Sequence, residues 1–304
     1  MIRDHEEHDH SSRNEIEPTI KTERGEQRDA EDRDFIPVIV KRTDDIRRHP
    51  DDVLQYAITE GKEQLDRGSL SLWLSAIAAG LILGFTALAV GVVASFVEAG
   101  ETNRQLRIAT ALVYPIGFVI CLMSGTQLFT EHTATAVYPI LDRQAPLTSL
   151  GRLWVLVIAG NVLGALASAG LLTLGDEVVG ARSGYVLIAG KMIAPSFSSL
   201  FGSAVLAGWL MALGAWLILA TPPTVSQIVC IYLVTFLIGL GGLHHSVAGT
   251  AELFVGLFHG LDASGTAILK FFAATYTGNL VGGALFVAVL NYAHIRQTQP
   301  AHEG

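Results

Sequence analysis

The stretch from Leu70 to Phe96 contains no charged residue, and this feature constrains the fold more than any other. A helix that crosses a bilayer needs about 20 predominantly apolar residues, so this stretch predicts a transmembrane helix. The chain contains further apolar stretches over residues 108–141, 153–174, 197–220, 225–258 and 266–294. The sequence therefore predicts an all-α integral membrane protein with six transmembrane helices.

Charged residues are concentrated ahead of the first apolar stretch. Residues 1–69 hold 12 of the 20 Lys and Arg residues and 19 of the 28 Asp and Glu residues. The formal net charge of −8 therefore comes mostly from this segment. An acidic segment of this kind gives no indication of binding to nucleic acid, so we expect no nucleic-acid partner.

The second and fifth apolar stretches are each too long for one straight span, because a helix rises only about 1.5 Å per residue. Glycine and polar residues interrupt both of them, at 124–127 and 130–133 in the second and at 239–245 in the fifth. Non-helical backbone survives at membrane depth only where protein buries it or where it lines a cavity. Broken helices at matching places in two halves are typical of a transport site near the midplane. We therefore expect both helices to be broken and to meet at His245.

A repeated Gly-Asn pair supports the division into halves. Gly160 and Asn161 lie in the third apolar stretch, and Gly278 and Asn279 lie in the sixth. Because three spans separate the two copies, the second copy is expected to be inverted in the bilayer, as an inverted 3+3 repeat. The glycines are expected to let helices pack closely. The asparagines are expected to bond across helices or to hold a broken segment.

These patterns divide the chain into four segments. Residues 1–48 are dense in charge and poor in apolar residues, which predicts a disordered tail without a signal peptide. Residues 49–69 predict an amphipathic helix at the membrane interface, since apolar residues recur there at helical spacing. Residues 70–296 are assigned to a six-span transport domain and residues 297–304 to a C-terminal tail. Six spans place both termini on one side, which we expect to be the cytoplasmic side of a bacterial inner membrane.

At the two breaks the sequence resembles a known family. Residues 125–130 (Gly-Thr-Gln-Leu-Phe-Thr) and 242–248 (Gly-Leu-His-His-Ser-Val-Ala) are similar to the signature loops of the formate/nitrite transporter family. The charged N-terminal segment and residues 127–133 are similar to a branch of that family with long cytoplasmic tails. The resemblance implies an aquaporin-like protomer and a homopentamer with one pore per protomer. It also implies passage of formate, nitrite, hydrosulfide or short carboxylates through a protein that is embedded in the lipid bilayer.

The resemblance also implies a set of pore residues. Leu128, Phe129 and Thr130 match the loop of the broken second helix. His245 matches the family's central pore histidine, with Thr130 as its expected hydrogen-bond partner. Lys191, ahead of the fourth span, is similar to the basic residue near the outer mouth.

Two positions next to the histidine depart from the family pattern. His244 stands where a carboxylate or a similar polar residue is common, and its role is open between lining the pore and packing. Gly249 stands where many members have Asn. The loss of that Asn removes the family's hydrogen-bond relay as a guide to the substrate.

One histidine between apolar constrictions suits an anion pore. A bare anion in a low-dielectric passage faces a large desolvation cost, and histidine changes its charge near neutral pH. A protonated His245 would attract the anion or hand it a proton, so that a neutral acid crosses the apolar gate. The alternative is a histidine that only bonds neighbouring backbone at a helix break. Of the two intramembrane carboxylates, Glu131 is expected to favour a helix N-terminus, and Glu252 could pair with His259 or face a neighbouring protomer.

Two other classes of function stay open. His244, His245 and Glu252 could ligate a metal in a membrane enzyme, although adjacent helical residues point about 100° apart and no metal-hydrolase spacing is present. The chain could also be a membrane scaffold or sensor that kept the fold and lost conduction. The channel interpretation is favoured, and with it we expect no enzymatic activity, no metal and no cofactor.

Overall fold

The computed structural model describes residues 47–96 and 103–298, and every regular element within them is helical. The expected N-terminal tail and most of the C-terminal tail fall outside these residues. Within the described part of the chain, six helical segments are long and apolar enough to cross a membrane. The prediction of six transmembrane helices is therefore confirmed.

The helices fall into two successive sets that share one order of long and short elements. The first set comprises α1 (Pro50–Asp66), α2 (Ser69–Phe96), α3 (Asn103–Val113), α4 (Pro115–Met123), α5 (Phe129–Thr135), α6 (Tyr138–Leu141) and α7 (Leu147–Leu174). The second set comprises α8 (Asp176–Val179), α9 (Arg182–Ile193), α10 (Phe197–Ala220), α11 (Thr224–Gly241), α12 (Ser246–Phe258) and α13 (Gly265–Gly283). A π-helical turn over Ala284–Val289 joins α13 to α14 (Leu290–Thr298).

The even number of crossings brings both ends of the described chain to one face of the membrane, here called the near face. In agreement, the backbone N–H of Arg48 donates to the carbonyl of Ala220, the last residue of the fourth span, at 3.0 Å. The opposite face is called the far face. It carries α8 and α9, which connect the third span to the fourth.

The second and fifth spans are broken, as predicted, but each break follows a full-length segment. Helices α3 and α4 together cover residues 103–123, which is about 30 Å of helix rise and already the thickness of the hydrocarbon core. The chain then turns at Gly125, whose φ of 65° lies in the left-handed region that favours glycine. Gly242, with φ of 60°, makes the equivalent turn after α11. Each break is therefore followed by a separate half-helix, α5 or α12, that starts inside the protein.

The structure also places some expected break residues inside helices. Thr130–Thr133 form the start of α5, and Gly239–Gly241 form the end of α11. The non-helical segments are residues 124–128 and 242–245. Polar residues near a break therefore mark the start of the half-helix as well as the break itself.

Close packing of the spans repeats in the two halves. A Cβ built on Gly160 would lie 2.6 Å from the Cβ of Ala76 in α2, and one built on Gly278 would lie 2.6 Å from the Cβ of Ala204 in α10. The glycines therefore allow α7 to approach α2, and α13 to approach α10, at matching positions. The two halves share one packing scheme, whereas their likeness to aquaporin stays a prediction.

Helix α1 belongs to the repeat, although the sequence pattern placed it ahead of the six-span domain. Arg152 in α7 donates to the carbonyls of Leu65 (2.5 Å) and Arg67 (3.1 Å) at the end of α1. Lys270 in α13 donates to the carbonyls of Ile193 (2.9 Å) and Pro195 (2.6 Å) at the end of α9. Each cation donates hydrogen bonds to carbonyls at a helix end, which have no partner within their own helix. Helix α9, which the sequence analysis missed, is therefore the counterpart of α1.

The apolar face of α1 is packed into the protein. Val53, Leu54, Ala57 and Ile58 are each at most 1% exposed, which matches the helical spacing of apolar residues that predicted this helix. A Cβ built on Gly61 would overlap the carbonyl oxygen of Thr135 at the end of α5. Helix α1 therefore lies directly against the near-face end of the first half-helix.

We expect Gly61→Ala to separate α1 from α5, because the added methyl group also lies 2.9 Å from the Cδ of Pro139. Overpacking of this kind costs about 1–3 kcal/mol. The thermal unfolding midpoint of the purified protein should fall by several degrees. Gly68→Ala is the matched control, since a Cβ there has no atom within 4 Å. Equal midpoints for the two variants would contradict the close packing of α1.

Candidate transport site

The two half-helices meet through a hydrogen bond between Thr130 and His245. The Oγ1 of Thr130, in the first turn of α5, lies 2.6 Å from the Nε2 of His245. Thr130 is 1% exposed and His245 has no exposed surface. The residue pair that the family resemblance implied is thus brought together at the centre of the protein, and it joins one half of the chain to the other.

His245 is also the N-cap of α12. Its Nδ1 accepts a hydrogen bond from the backbone N–H of Ala248 at 3.2 Å, which satisfies one of the unpaired donors at a helix start. Because Nδ1 accepts, the hydrogen of the neutral ring is on Nε2 and is donated to Thr130. Protonating the ring at Nδ1 requires giving up the bond to Ala248. The ring is therefore neutral in this conformation.

Two asparagines hold the starts of the half-helices. The Oδ1 of Asn161 accepts from the N–H of Phe129 at 2.9 Å, and its Nδ2 donates to the carbonyls of Ala76 (2.8 Å) and Gln127 (2.9 Å). Both asparagines are fully buried. Asn161 therefore ties the first break to α2 and α7 at once.

Asn279 makes the same three bonds in the second half. Its Oδ1 accepts from the N–H of Ser246 at 2.7 Å, and its Nδ2 donates to the carbonyls of Ala204 (2.7 Å) and His244 (3.0 Å). These bonds are of the kind expected for the asparagines, since they hold each broken segment in place. Leu128 lies between the bonded residues Gln127 and Phe129, as His245 lies between His244 and Ser246. Leu128 and His245 therefore occupy equivalent positions in the two breaks.

Apolar side chains enclose the histidine. The ring of Phe118 packs edge-on against His245 with a centroid distance of 4.8 Å. Leu128 and Phe129 are at most 1% exposed, and Phe129 lies 5.8 Å from the ring of Tyr276. His245 is therefore fully enclosed by protein in this conformation.

His244 connects the second break to the far-face helix α9. Its Nδ1 lies 2.8 Å from the Oγ of Ser203 and its Nε2 lies 3.2 Å from the carbonyl of Met192. Its backbone N–H also donates to Ser203 at 3.0 Å. Both ring nitrogens are used within the protein, which supports the packing role. Lys191 is exposed on α9, one residue before Met192.

Gln127 is the residue of the first half that is equivalent to His244. It binds a cation that the sequence analysis missed. The backbone N–H of Gln127 donates to the Oγ of Ser75 at 3.1 Å, as that of His244 does to Ser203. Its side chain accepts from Arg67, just beyond α1, at 2.9 Å. Arg67 therefore lies near the near-face entrance, while Lys191 lies at the far face. The internal repeat could have found Arg67, because it pairs the end of α1 with the end of α9.

The space beside Gly249 is filled by two apolar side chains. A Cβ built on Gly249 would lie 2.5 Å from the Cε of Met192 and 2.9 Å from the Cζ of Phe271. Phe271 is fully buried, and its ring lies 6.5 Å from that of His244. The position where the family resemblance implies Asn is therefore packed with apolar groups from Met192 and Phe271.

Carboxylates occupy both sides of the histidine. Glu131 lies in the first turn of α5, where the sequence analysis expected it to favour the helix start. It faces α1, in which burial and the neighbouring Glu63 raise the pKa of Glu60. Glu252 is 5% exposed in α12. The suggested pairing of Glu252 with His259 is wrong, because His259 faces Asp176 instead.

The described residues offer no cluster of three or more His, Cys, Asp or Glu side chains that could hold a metal ion. His244 and His245 direct their ring nitrogens to different partners, Ser203 and Met192 for the first and Thr130 and Ala248 for the second. The arrangement therefore does not match the metal-site alternative.

Sequence comparison connects these residues to known proteins. A profile described as Formate/nitrite transporter matches residues 51–293, which includes α1, both breaks and both asparagines. The chain belongs to the formate/nitrite transporter family. The family consists of transport channels, so this member is a multi-pass membrane transport protein for small anions and not an enzyme.

Relatives and solved structures of the family agree with this assignment. Inner membrane protein YfdC of Escherichia coli (strain K12) is 34% identical over 244 residues, which cover 78% of this chain and 76% of that protein. A probable formate transporter of Methanothermobacter thermautotrophicus is 28% identical over 259 residues, covering 79% and 94%. An FNT family ion channel matches 82% of this chain and 100% of its own, with a TM-score of 0.73 and 17% identity. A pentameric formate channel with formate bound matches 76% and 98%, with a TM-score of 0.63 and 18% identity.

In this family member, Asn279→Leu should destabilise the fold. The substitution leaves the N–H of Ser246 and the carbonyl of His244 without their partner, and each unpaired buried group costs about 1–3 kcal/mol. The thermal unfolding midpoint should fall by at least about 5 °C, with a similar fall for Asn161→Leu. Gln297→Leu, an exposed position in α14, is the control. An equal fall in the control would show that the asparagine bonds are not the cause.

Proposed function

We propose that the protein conducts small monovalent weak-acid anions, such as formate or nitrite, along a path gated at His245. The observation that carries the proposal is the Thr130–His245 hydrogen bond of 2.6 Å, buried between two half-helices and enclosed by apolar side chains. Such a site separates two mouths with a dry constriction. It also provides one polar pair at which an anion can be bound and given a proton.

The geometry supports a proton step at the constriction. With His245 enclosed, Nε2–H is donated to Thr130, which leaves the Thr130 hydroxyl hydrogen for an anion that arrives next to it. A negative charge beside the ring favours the protonated imidazolium. Nδ1 gives up its bond to Ala248 and takes a proton from water that enters with the anion. The ring can then pass its Nε2 proton to the Thr130 oxygen while the Thr130 hydroxyl hydrogen moves to the anion, which leaves a neutral ring. The neutral acid passes the apolar groups at a much smaller desolvation cost. Proton transfer and passage of the acid are coupled in this scheme.

The apolar and basic residues around the pair have separate roles in this proposal. Leu128, Phe129 and Phe118 form the dry constriction that excludes hydrated ions. Arg67 at the near face and Lys191 at the far face raise the local concentration of anions at the two mouths. His244 fixes the second break through Ser203 and does not itself carry charge through the pore.

We also propose a cellular setting. The near face is assigned to the cytoplasm, which places both termini on the cytoplasmic side of a bacterial inner membrane. The E. coli relative is named as an inner membrane protein, and one structural neighbour is a pentameric formate channel. A homopentamer with one pathway per protomer is the assembly that these similarities support.

His245→Ala should abolish the proton step while leaving the two mouths in place. In proteoliposomes, wild-type formate or nitrite uptake should rise as the external pH is lowered from about 8 to about 5, since the proposed step takes up one proton for each anion that passes. The variant should lose at least about tenfold of the flux at the acidic end and most of its pH dependence. His294→Ala, at an exposed position in α14, is the control.

Flux through His245→Ala that equals wild type and stays pH-dependent would contradict the gating role. Absence of flux in the wild type for formate, nitrite, hydrosulfide and short carboxylates would favour the scaffold alternative, to which the full enclosure of His245 also corresponds.

Thr130→Val and Thr130→Ser separate the hydroxyl group from the shape of the side chain. Valine keeps the volume and removes the hydrogen bond to His245, whereas serine keeps the hydroxyl and loses one methyl group. We expect Thr130→Val to reduce flux about tenfold or more, because the buried Nε2–H then has no acceptor, and Thr130→Ser to retain most of it. Flux assays at fixed pH measure the difference. Equal losses in the two variants would indicate a packing role for Thr130.

A further inference from the structure

Two sets of side-chain contacts, here called ties, hold the chain after each half-helix. They lie at opposite faces of the membrane. At the near face Asp142, after α6, accepts hydrogen bonds from Tyr292 (2.9 Å) and Arg296 near the end of the last span. At the far face His259, after α12, faces Asp176 just beyond α7, with Nε2 and Oδ2 3.4 Å apart. In each case the chain that follows a half-helix is held by the end of the third span from the other half.

The far-face tie has one more acceptor than a neutral histidine can satisfy. The Nδ1 of His259 lies 2.7 Å from the carbonyl of Val255, and Nε2 faces the carboxylate of Asp176. Nε2 is buried and makes no hydrogen bond in this conformation, although the carboxylate oxygen lies only 3.4 Å away. A neutral imidazole carries one N–H and donates to only one of the two acceptors, whereas the imidazolium donates to both. The tie is therefore complete only when His259 is protonated.

Asp176 is fixed in position to receive this proton-bearing ring. Its Oδ1 accepts from the N–H of Ala181 at 2.9 Å, which leaves Oδ2 directed at His259. Asp176 also lines a cavity of about 690 Å³ at the far face, together with Arg182. Water in that cavity can deliver protons to the pair from the far side.

The other titratable and charged groups around His259 come from α8, α9 and α12. Helix α8 contributes Glu177 beside Asp176, and α9 contributes Arg182 and Tyr185. The ring of Tyr185 packs 4.9 Å from that of His259. Glu252 lies two turns earlier in α12, and the neighbouring span α2 carries no charged residue. Asp176 is the group in direct contact with Nε2.

We propose that His259 and Asp176 form a proton-operated tie that positions α12 from the far face. Protonation of His259 closes the tie and fixes the end of the half-helix whose other end carries His245. Loss of the proton leaves a lone pair of Nε2 against the carboxylate, which releases that end of α12. The pair acts through α12 and is a second proton-binding element, separate from the pore histidine.

A double-mutant cycle at two pH values tests the tie. Thermal unfolding of the purified full-length protein is measured for wild type, His259→Gln, Asp176→Asn and the double variant, at about pH 5.5 and about pH 8.0. At the acidic pH each single variant should lower the midpoint by about 4 °C, with no further loss in the double variant. At the alkaline pH the coupling between the two positions should be lost.

The near-face tie provides the matched control. Asp142→Asn and Arg296→Gln should show the same coupling at both pH values, because arginine stays charged throughout this range. Coupling between His259 and Asp176 that is equal at both pH values would overturn the proposal, as would no coupling at either.

If a variant fails to fold, a second measurement on the wild-type protein still tests the proposal. Hydrogen–deuterium exchange at the end of α12, corrected for intrinsic rates, should rise at least about threefold from acidic to alkaline pH in the wild type and not in Asp176→Asn. A wild-type rate that does not change with pH would overturn the proposal. Neither measurement depends on transport, so its outcome is independent of the proposed function.

Discussion

The need to pair every backbone hydrogen bond in surroundings without water is the constraint on which this structure depends. Each half-helix starts inside the membrane domain, where its first N–H groups have no helical partner and lipid cannot supply one. Asn161 and Asn279 supply that partner from the middle of the adjacent span, and each also bonds a carbonyl on a second span. These amides allow backbone breaks at this depth. The breaks in turn bring Thr130 and His245 together, and so the candidate site rests on two side chains that are not part of it.

Much of this arrangement could be predicted from the sequence. The six spans follow from the lengths of the apolar stretches, and the broken helices follow from two stretches that exceed one span. The role of the asparagines follows from a motif that recurs three spans apart. Those signals are local or periodic, so a single sequence contains them. The Thr130–His245 pair was expected only because the two loops resemble a known family.

The rest depends on contacts between segments that are distant in the chain. Helix α9 carries no clear amphipathic pattern, and its packing depends on Gly184, where a Cβ would overlap the carbonyl oxygen of Gly91. The place of α1 in the repeat depends on Arg152 and Lys270, which donate to carbonyls at matching helix ends. The partner of His259 was misassigned for the same reason, since helical spacing indicates Glu252 but the fold brings Asp176 across from another span.

The packing beside Gly249 has a consequence for how the family can vary. Because the methyl group of Met192 and the ring of Phe271 occupy the space where a larger side chain would begin, introducing Asn at this position alone produces a steric clash. A change from Gly to Asn at this position therefore requires the side chains of Met192 and Phe271 to move or to be replaced. These three positions are therefore expected to covary among homologues.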